Sequence, residues 1–330
     1  MRAPTPLRSG VFLLVLLVLA TAVVAVTIVE RRGSEREVAV RAYVEARRTD
    51  PVTLIRELAR ARRVVVLGDV SGAPAPKRLA ADAIEALASG SGLDWVAVEV
   101  GSDLQPLIDR YLDATAEDAS ALVAAARAQP GGAGAGYLGI YRRVRELNRG
   151  LSADRRIRIL AIDSPDWPPS GAVAPSRLLQ RYAARDEHMM ERLLTTVLER
   201  DGNARVLVFV DGLRALDASL RLGVSAAEST ESPLLGRRLR RAQPGEVASV
   251  LVDASVASGS EAAIGYRGSD LSRLLRAAAA GGPIAIPLRS GLPVTLQDIT
   301  VLGPPGLAIG LTPGDAPLAS VADGYVRLPN

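Results

Sequence analysis

Five short apolar runs recur along the chain: Val64–Gly68, Trp95–Val100, Ile157–Asp163, Val206–Val210 and Ser249–Asp253. Each is too short for a buried helix and has the length of a strand covered on both faces. Helix-patterned stretches accompany them: Pro76–Ser89, Leu104–Leu112, Leu138–Asn148 and Ser176–Arg200. Strand–helix alternation of this kind needs crossover connections. It predicts an α/β fold, with a mostly parallel central sheet and helices on both faces. Beyond Gly281 glycine and proline thicken, and the pattern shifts to short strands at Ile284–Leu288, Leu307–Leu311 and Tyr325–Leu328. The stretch Gln129–Gly136, "QPGGAGAG", reads as a flexible loop over the strand ends. No internal repeat is present.

The N-terminus carries a different signal. Val11–Val29 is an uncharged apolar run of 19 residues, long enough to span a bilayer. Arg2 and Arg8 precede it, and Glu30-Arg31-Arg32 closes it. The expectation is an N-terminal transmembrane helix that holds the rest of the chain outside the cytoplasm. The rivals are a signal peptide cleaved after Ala20-Thr21-Ala22 and a buried core helix. Residues 1–10 are then a cytoplasmic n-region, 11–29 the anchor or signal, 30–60 a helical juxtamembrane stalk and 61–330 the α/β domain. Within the stalk, Thr49-Asp50-Pro51 marks a helix start, with Asp50 as N-cap.

Composition narrows the chemistry. The chain has 330 residues, 48% of them hydrophobic but only 3% aromatic, so Ala, Val and Leu must do the packing. The 40 basic and 36 acidic residues nearly balance, and no basic tail, zinc knuckle or RNA-binding aromatic motif accompanies them. Nucleic acid is therefore not an expected partner. There is no cysteine, which excludes disulfides and thiolate nucleophiles. His188 is the one histidine, so a multi-histidine zinc site within one chain is excluded too.

The order of motifs resembles the superfamily of erythromycin esterase-like and ChaN-like haem-binding proteins, to which the TraB/GumN and Tiki proteins are more distantly similar. The first strand ends in Leu67-Gly68-Asp69-Val70-Ser71-Gly72, where those families have a Gly-Glu-x-x-His turn. The second ends in Ala97-Val98-Glu99, and a helix with Tyr141–Asn148 follows. Ala161-Ile162-Asp163 matches their Gly/Ala-x-Asp strand end, and Arg185-Asp186-Glu187-His188-Met189 their Arg-Asp-x-x-Met helix. Asp211-Gly212-Leu213-Arg214 stands where they have a Gly-x-x-His turn. Leu235–Leu239 and Ala322–Val326 complete the series.

The resemblance implies an esterase-like site in which two turn histidines act on water. Imidazole suits base work near neutrality. In this chain Ser71 and Arg214 stand in those two regions. Serine without a base is a poor nucleophile, and arginine does not give up its proton. The strand ends retain Asp69, Glu99 and Asp163 as candidate catalytic carboxylates. Ser71, Arg185 and Arg214 are the candidate ligand-binding residues. Three acids beside two guanidiniums make either a self-neutralising network or a site with one carboxylate free to work.

No resident cofactor is expected. A divalent metal on the carboxylates is the alternative, and haem on Tyr137, Tyr141 or Tyr266 has nothing to pair with. The run Gly236–Arg241, "GRRLRR", is either a solvated amphipathic helix or a contact for anionic lipid. The leading expectation is a membrane-anchored extracytoplasmic module. In it the hydrolase-like site is degenerate and serves a polar or anionic ligand or the bacterial envelope. The alternative is an active hydrolase of an ester or related bond that uses carboxylates. An interaction protein working through the Gly/Pro-rich C-terminal region is a third reading.

Overall fold

A computed structural model describes residues 35–114, 120, 122–123, 134–165, 175–223, 229–254, 265–267, 272–273, 275, 282–302 and 308–329. Its centre is a seven-stranded sheet. The strands are β1 (Val64–Asp69), β2 (Trp95–Gly101), β3 (Arg158–Asp163), β4 (Val206–Asp211), β7 (Val247–Ala254), β9 (Ile284–Pro287) and β12 (Gly324–Leu328), in the order β3-β2-β4-β1-β7-β12-β9. All neighbours are parallel except β12 and β9. β1 and β7 are buried at every position, which is why they read as unbroken apolar runs.

Helices α1 (Pro51–Ala61), α2 (Pro74–Ser89), α3 (Gln105–Asp113) and α4 (Gly134–Asn148) supply one layer. Their apolar stripes meet Leu67, Val98, Phe209 and Val250. Helices α5 (Pro175–Leu193) and α6 (Leu235–Ala242) cover part of the other face, where Met189, Leu193 and Leu239 meet Val66, Val208 and Ile162. A three-stranded antiparallel sheet stands apart, formed by β5 (Ser219–Gly223), β6 (Thr230–Pro233) and β11 (Ala308–Thr312), and β8 (Gly265–Arg267) pairs antiparallel with β10 (Thr300–Leu302). β5 and β6 escape a periodicity reading because they are short and, in β6, polar and half-exposed.

Two expectations are corrected. Among the described residues no helix is long and apolar enough to cross a membrane. The longest, α5, has 19 residues but carries charges along its length, from Arg181 to Arg192. Charges at that density are not tolerated in a bilayer core. This overturns the fold description that included an N-terminal transmembrane helix, and with it the membrane-anchored, single-pass module and its membrane partner. The Val11–Val29 run itself lies outside the described residues.

Residues 35–61 are not a projecting stalk. Val40, Val44, Leu54 and Ile55 are buried. The Tyr43 hydroxyl donates to the Pro287 carbonyl at 2.9 Å. Thr49 pairs with Ala285. Asp50 does cap α1, accepting the Thr53 N–H at 2.9 Å.

Candidate functional site

Five adjacent strands of the sheet carry a carboxylate at or near their carboxyl ends: Asp163 on β3, Glu99 on β2, Asp211 on β4, Asp69 on β1 and Asp253 on β7. In an open α/β sheet this edge is where ligands bind. What each carboxylate can do depends on its cation.

Asp69 is saturated. The Lys77 ammonium donates to its two oxygens at 2.8 and 2.7 Å and to the Ala73 carbonyl at 3.3 Å, and the Val70 N–H adds a third contact to Asp69 at 2.8 Å. Lys77 comes from the first turn of α2 and is itself buried. Gly136 on α4 makes room for its stem: a Cβ there would lie 2.1 Å from the lysine Cδ. The Tyr137 hydroxyl completes the surround, 3.5 Å from Asp69. Burial nevertheless lifts Asp69 above the usual aspartate range, with Lys77 opposing.

Glu99 and Asp163 share Arg185. Its Nε donates to Asp163 Oδ1 at 2.9 Å, and its Nη2 reaches both Asp163 Oδ2 and, at 2.8 Å, Glu99 Oε1. The other Glu99 oxygen accepts the Asp211 N–H at 2.6 Å. Burial alone would raise Glu99. The Arg214 and Arg185 charges outweigh it and hold this carboxyl below its ordinary range.

Arg214 lies 3.4 Å from Glu99 and 3.3 Å from Asp186. Asp186, on α5, also accepts the Leu235 N–H at 3.1 Å and so ties α5, α6 and the Arg214 turn together. Both Arg185 and Arg214 stand 5.7 Å over the Tyr182 ring. Burial would pull the Arg214 pKa down, but Glu99, Asp186 and Asp211 drive it higher still, so it is a permanent cation.

Asp211 is the exception in the row. It accepts the Leu213 N–H at 3.1 Å as the cap of the short turn Gly212–Ala215. Among the described residues it has no ion pair within 4 Å, and it is half-buried where Asp69 and Asp163 are buried. Desolvation first, and the Glu99 charge second, push its pKa up to about 7.

The site residues read from the sequence divide accordingly. Glu99, Asp163, Arg185 and Arg214 come together in one ion-pair network, and Asp69 stands one strand beyond Asp211, held by Lys77. Ser71 is half-buried in the turn after Asp69, and no hydrogen bond among the described residues ties it to the network. His188 joins none of these ion pairs, and among the described residues its buried Nε2 has no hydrogen-bond partner. Among the described residues no group of three or more His, Cys, Asp or Glu side chains is placed to hold a metal ion. Guanidiniums and an ammonium sit where a cation would go.

Three of the four arginines of "GRRLRR" make contacts within the domain. Arg237 donates to Ser219, Arg238 to the Pro233 carbonyl and Arg240 to Asp323.

Sequence reasoning missed Lys77 and Asp211 as site residues, and it named Asp186 only as the neighbour of Arg185 in its helix motif. Lys77 had a signal: it is the only lysine in the chain. Asp211 had one too, since its position after the Val206–Val210 run repeats that of Asp69 after Val64–Gly68.

No family model matches the chain, and no curated protein does. The fold is found among solved structures. An erythromycin esterase in its open conformation superposes with a TM-score of 0.58 at 10% identity, covering 84% of this chain and 93% of that one. A succinoglycan biosynthesis protein gives 0.55 at 8% identity, covering 88% and 96%. A Bacillus cereus protein gives 0.55 at 10%, covering 88% and 97%. At these identities the similarity establishes a shared fold.

Proposed function

We propose that the chain is a hydrolase of an ester or related bond, with Asp211 as the general base and Arg214 as the cation that receives the oxyanion. The observation that carries this reading is the mismatch within the row of acids: Asp69, Glu99 and Asp163 are ion-paired, whereas Asp211 is not and titrates near neutrality. A base poised there can take a proton at physiological pH and return it. The fold shared with an erythromycin esterase supports the choice of bond.

In the proposed reaction a water proton passes to the Asp211 carboxylate as the water oxygen bonds to the substrate carbonyl carbon. Negative charge gathers on the carbonyl oxygen, facing Arg214. Collapse breaks the carbon–oxygen bond, and the departing alkoxide takes the proton from Asp211. This chemistry replaces the two histidines that the sequence resemblance implies. Ser71 and Arg214 stand in their regions, and an aspartate three residues before Arg214 does the work of a base.

The test is a panel of nitrophenyl and lactone esters assayed from pH 5 to 9. Wild-type turnover should rise through about pH 7, where burial and the Glu99 charge place the Asp211 carboxyl. Asp211→Asn should lower kcat by about 10²–10⁴-fold. Turnover that survives intact in Asp211→Asn, or no turnover of any ester by the wild type, would overturn the proposal.

A further inference from the structure

A cleft of about 500 Å³ runs along the outer edge of β3, and neither Asp211 nor Arg214 lines it. That volume falls within the range of about 300–1,000 Å³ that holds small ligands. β3 is its floor, with one helix from each layer as a wall. The first wall is a single stripe of α3: Gln105, Asp109, Leu112 and Asp113 follow the i, i+4, i+7, i+8 spacing of one helix face. The second comes from α5, which brings Arg192. Strand alternation adds Arg158 to that side. It shares the parity of Leu160 and Ile162, which pack with Met189 and Leu193 of α5, whereas Ile159 and Ala161 pack with Ile108 and Tyr111 of α3.

The charges on the two walls do not meet. Arg192 Nε is fixed on the Ala161 carbonyl at 3.0 Å, and the Arg158 guanidinium lies 5.2 Å over the Trp95 ring. Among the described residues neither arginine has an ion pair, and neither do Asp109 and Asp113. Asp109 accepts only the Gln105 Nε2 at 2.8 Å. Beyond Arg192 the helix widens to a π turn over Leu194–Leu198, in which the Glu199 N–H donates to the Leu194 carbonyl at 3.0 Å. Thr196 of that turn also lines the cleft. Such turns are frequent at functional sites.

A simple anion in this cleft would face the acids of α3, and a simple cation would face the arginines. A molecule with both charges finds a partner on each wall. We infer that the cleft binds a small zwitterion, an amino acid or a short peptide. Its carboxylate meets Arg158 and Arg192, whose planar forks suit that group. Its ammonium meets Asp109 and Asp113, and Leu112 lies beside its aliphatic part. A peptide held here is not an added strand. Asn148, Gln105 and Arg192 already occupy the Ile157 backbone, the Ile159 carbonyl and both backbone groups of Ala161. The inference does not depend on the hydrolase reading.

The experiment is calorimetric titration of the full chain with leucine, trileucine, N-acetyl-trileucine and trileucine amide. Leucine or trileucine should bind saturably, and the tighter of the two sets the length of the ligand. Blocking either terminus of trileucine should weaken binding about tenfold or more. Arg158, Asp109 and Asp113 are exposed, so their variants should keep the fold. Arg158→Gln should weaken trileucine and its acetylated form and spare the amide. Asp109→Asn/Asp113→Asn should weaken trileucine and the amide and spare the acetylated form. A variant that merely unfolds would lose all three together. Saturable binding of neither leucine nor trileucine would overturn the inference. So would an acetylated form or an amide that binds as tightly as trileucine, since the cleft would then read one charge only.

Discussion

Lys77 is the only lysine in a chain with 40 lysines and arginines together. Its ammonium is a compact point donor, set between the Asp69 carboxylate and the Ala73 carbonyl with its stem against Gly136. Removing one partner of such a pair strands a buried charge, at a cost of about 3–5 kcal/mol, whereas removing both costs much less. Lys77→Met should therefore destabilise by about that amount in urea titrations. Asp69→Asn/Lys77→Met should recover most of it. A double variant as unstable as the single one would show that Lys77 acts through packing alone. At this scale the sequence made Asp69, Glu99, Asp163, Arg185 and Arg214 legible, because strand-end acids and a helix-borne Arg-Asp pair sit at recognisable places. It did not say which acid would be left without a cation. That depends on which guanidinium reaches which oxygen.

Arg214 is positioned by its turn, and the turn is positioned by α6. Gly236 is where the two meet: a Cβ there would lie 2.4 Å from the Ala215 carbonyl oxygen and 2.7 Å from that of Leu216. Backbone cannot give way as a flexible side chain can. Gly236→Ala should cost about 1–3 kcal/mol, and it should lower ester turnover more than Gly202→Ala, whose Cβ would meet nothing within 4 Å. Equal effects of the two substitutions on turnover would detach α6 from the site.

At the far side of the sheet the edge strand β3 is closed by side chains. Asn148 exchanges two hydrogen bonds with the Ile157 backbone, each 2.8 Å. Gln105 accepts the Ala161 N–H and donates to the Ile159 carbonyl, both at 2.8 Å. These amides also line a cleft of about 500 Å³ beside Trp95 and Arg192. They imitate a missing neighbour strand and guard the edge against pairing with another chain. Gln105→Ala should raise the propensity to self-associate, seen as concentration-dependent light scattering. Unchanged scattering would leave the edge without a guard role.

Across the whole molecule, the acids respond to pH in opposite senses. Asp211 keeps its proton in the folded chain up to about pH 7, whereas the unfolded chain releases it near 3.9. Its contribution is thus fully present below the unfolded value and is lost as pH rises through the folded one. Asp69 and Asp186 act in the same direction, and Glu99 in the reverse. Asp211→Asn keeps a cap acceptor and removes this liability. It should gain on the order of 1–3 kcal/mol over wild type at pH 8, with the gap closing by pH 4. A gap that does not change with pH would show that Asp211 titrates normally. The same substitution that abolishes turnover should then stabilise the fold, as expected of a site held at a cost.

By itself the sequence determined the layered α/β architecture, because a run of five or six apolar residues can be satisfied only as a strand covered on both faces. It also determined that the site could use neither thiolate nor paired imidazoles. The tertiary structure decided the rest. It folded residues 35–61 onto the domain, where an isolated charged helical pattern had suggested a stalk. It added β11 to the neighbouring strands β5 and β6 through a pairing far apart in sequence. Above all it distributed the cations along the row of strand-end acids. Strand order brings Glu99, Asp211 and Asp69 side by side although they are far apart in the chain. Burial and the Glu99 charge then raise Asp211, while two guanidiniums hold Glu99 down. Such differences arise from distances of a few ångströms between remote residues, and no spacing along the chain encodes them.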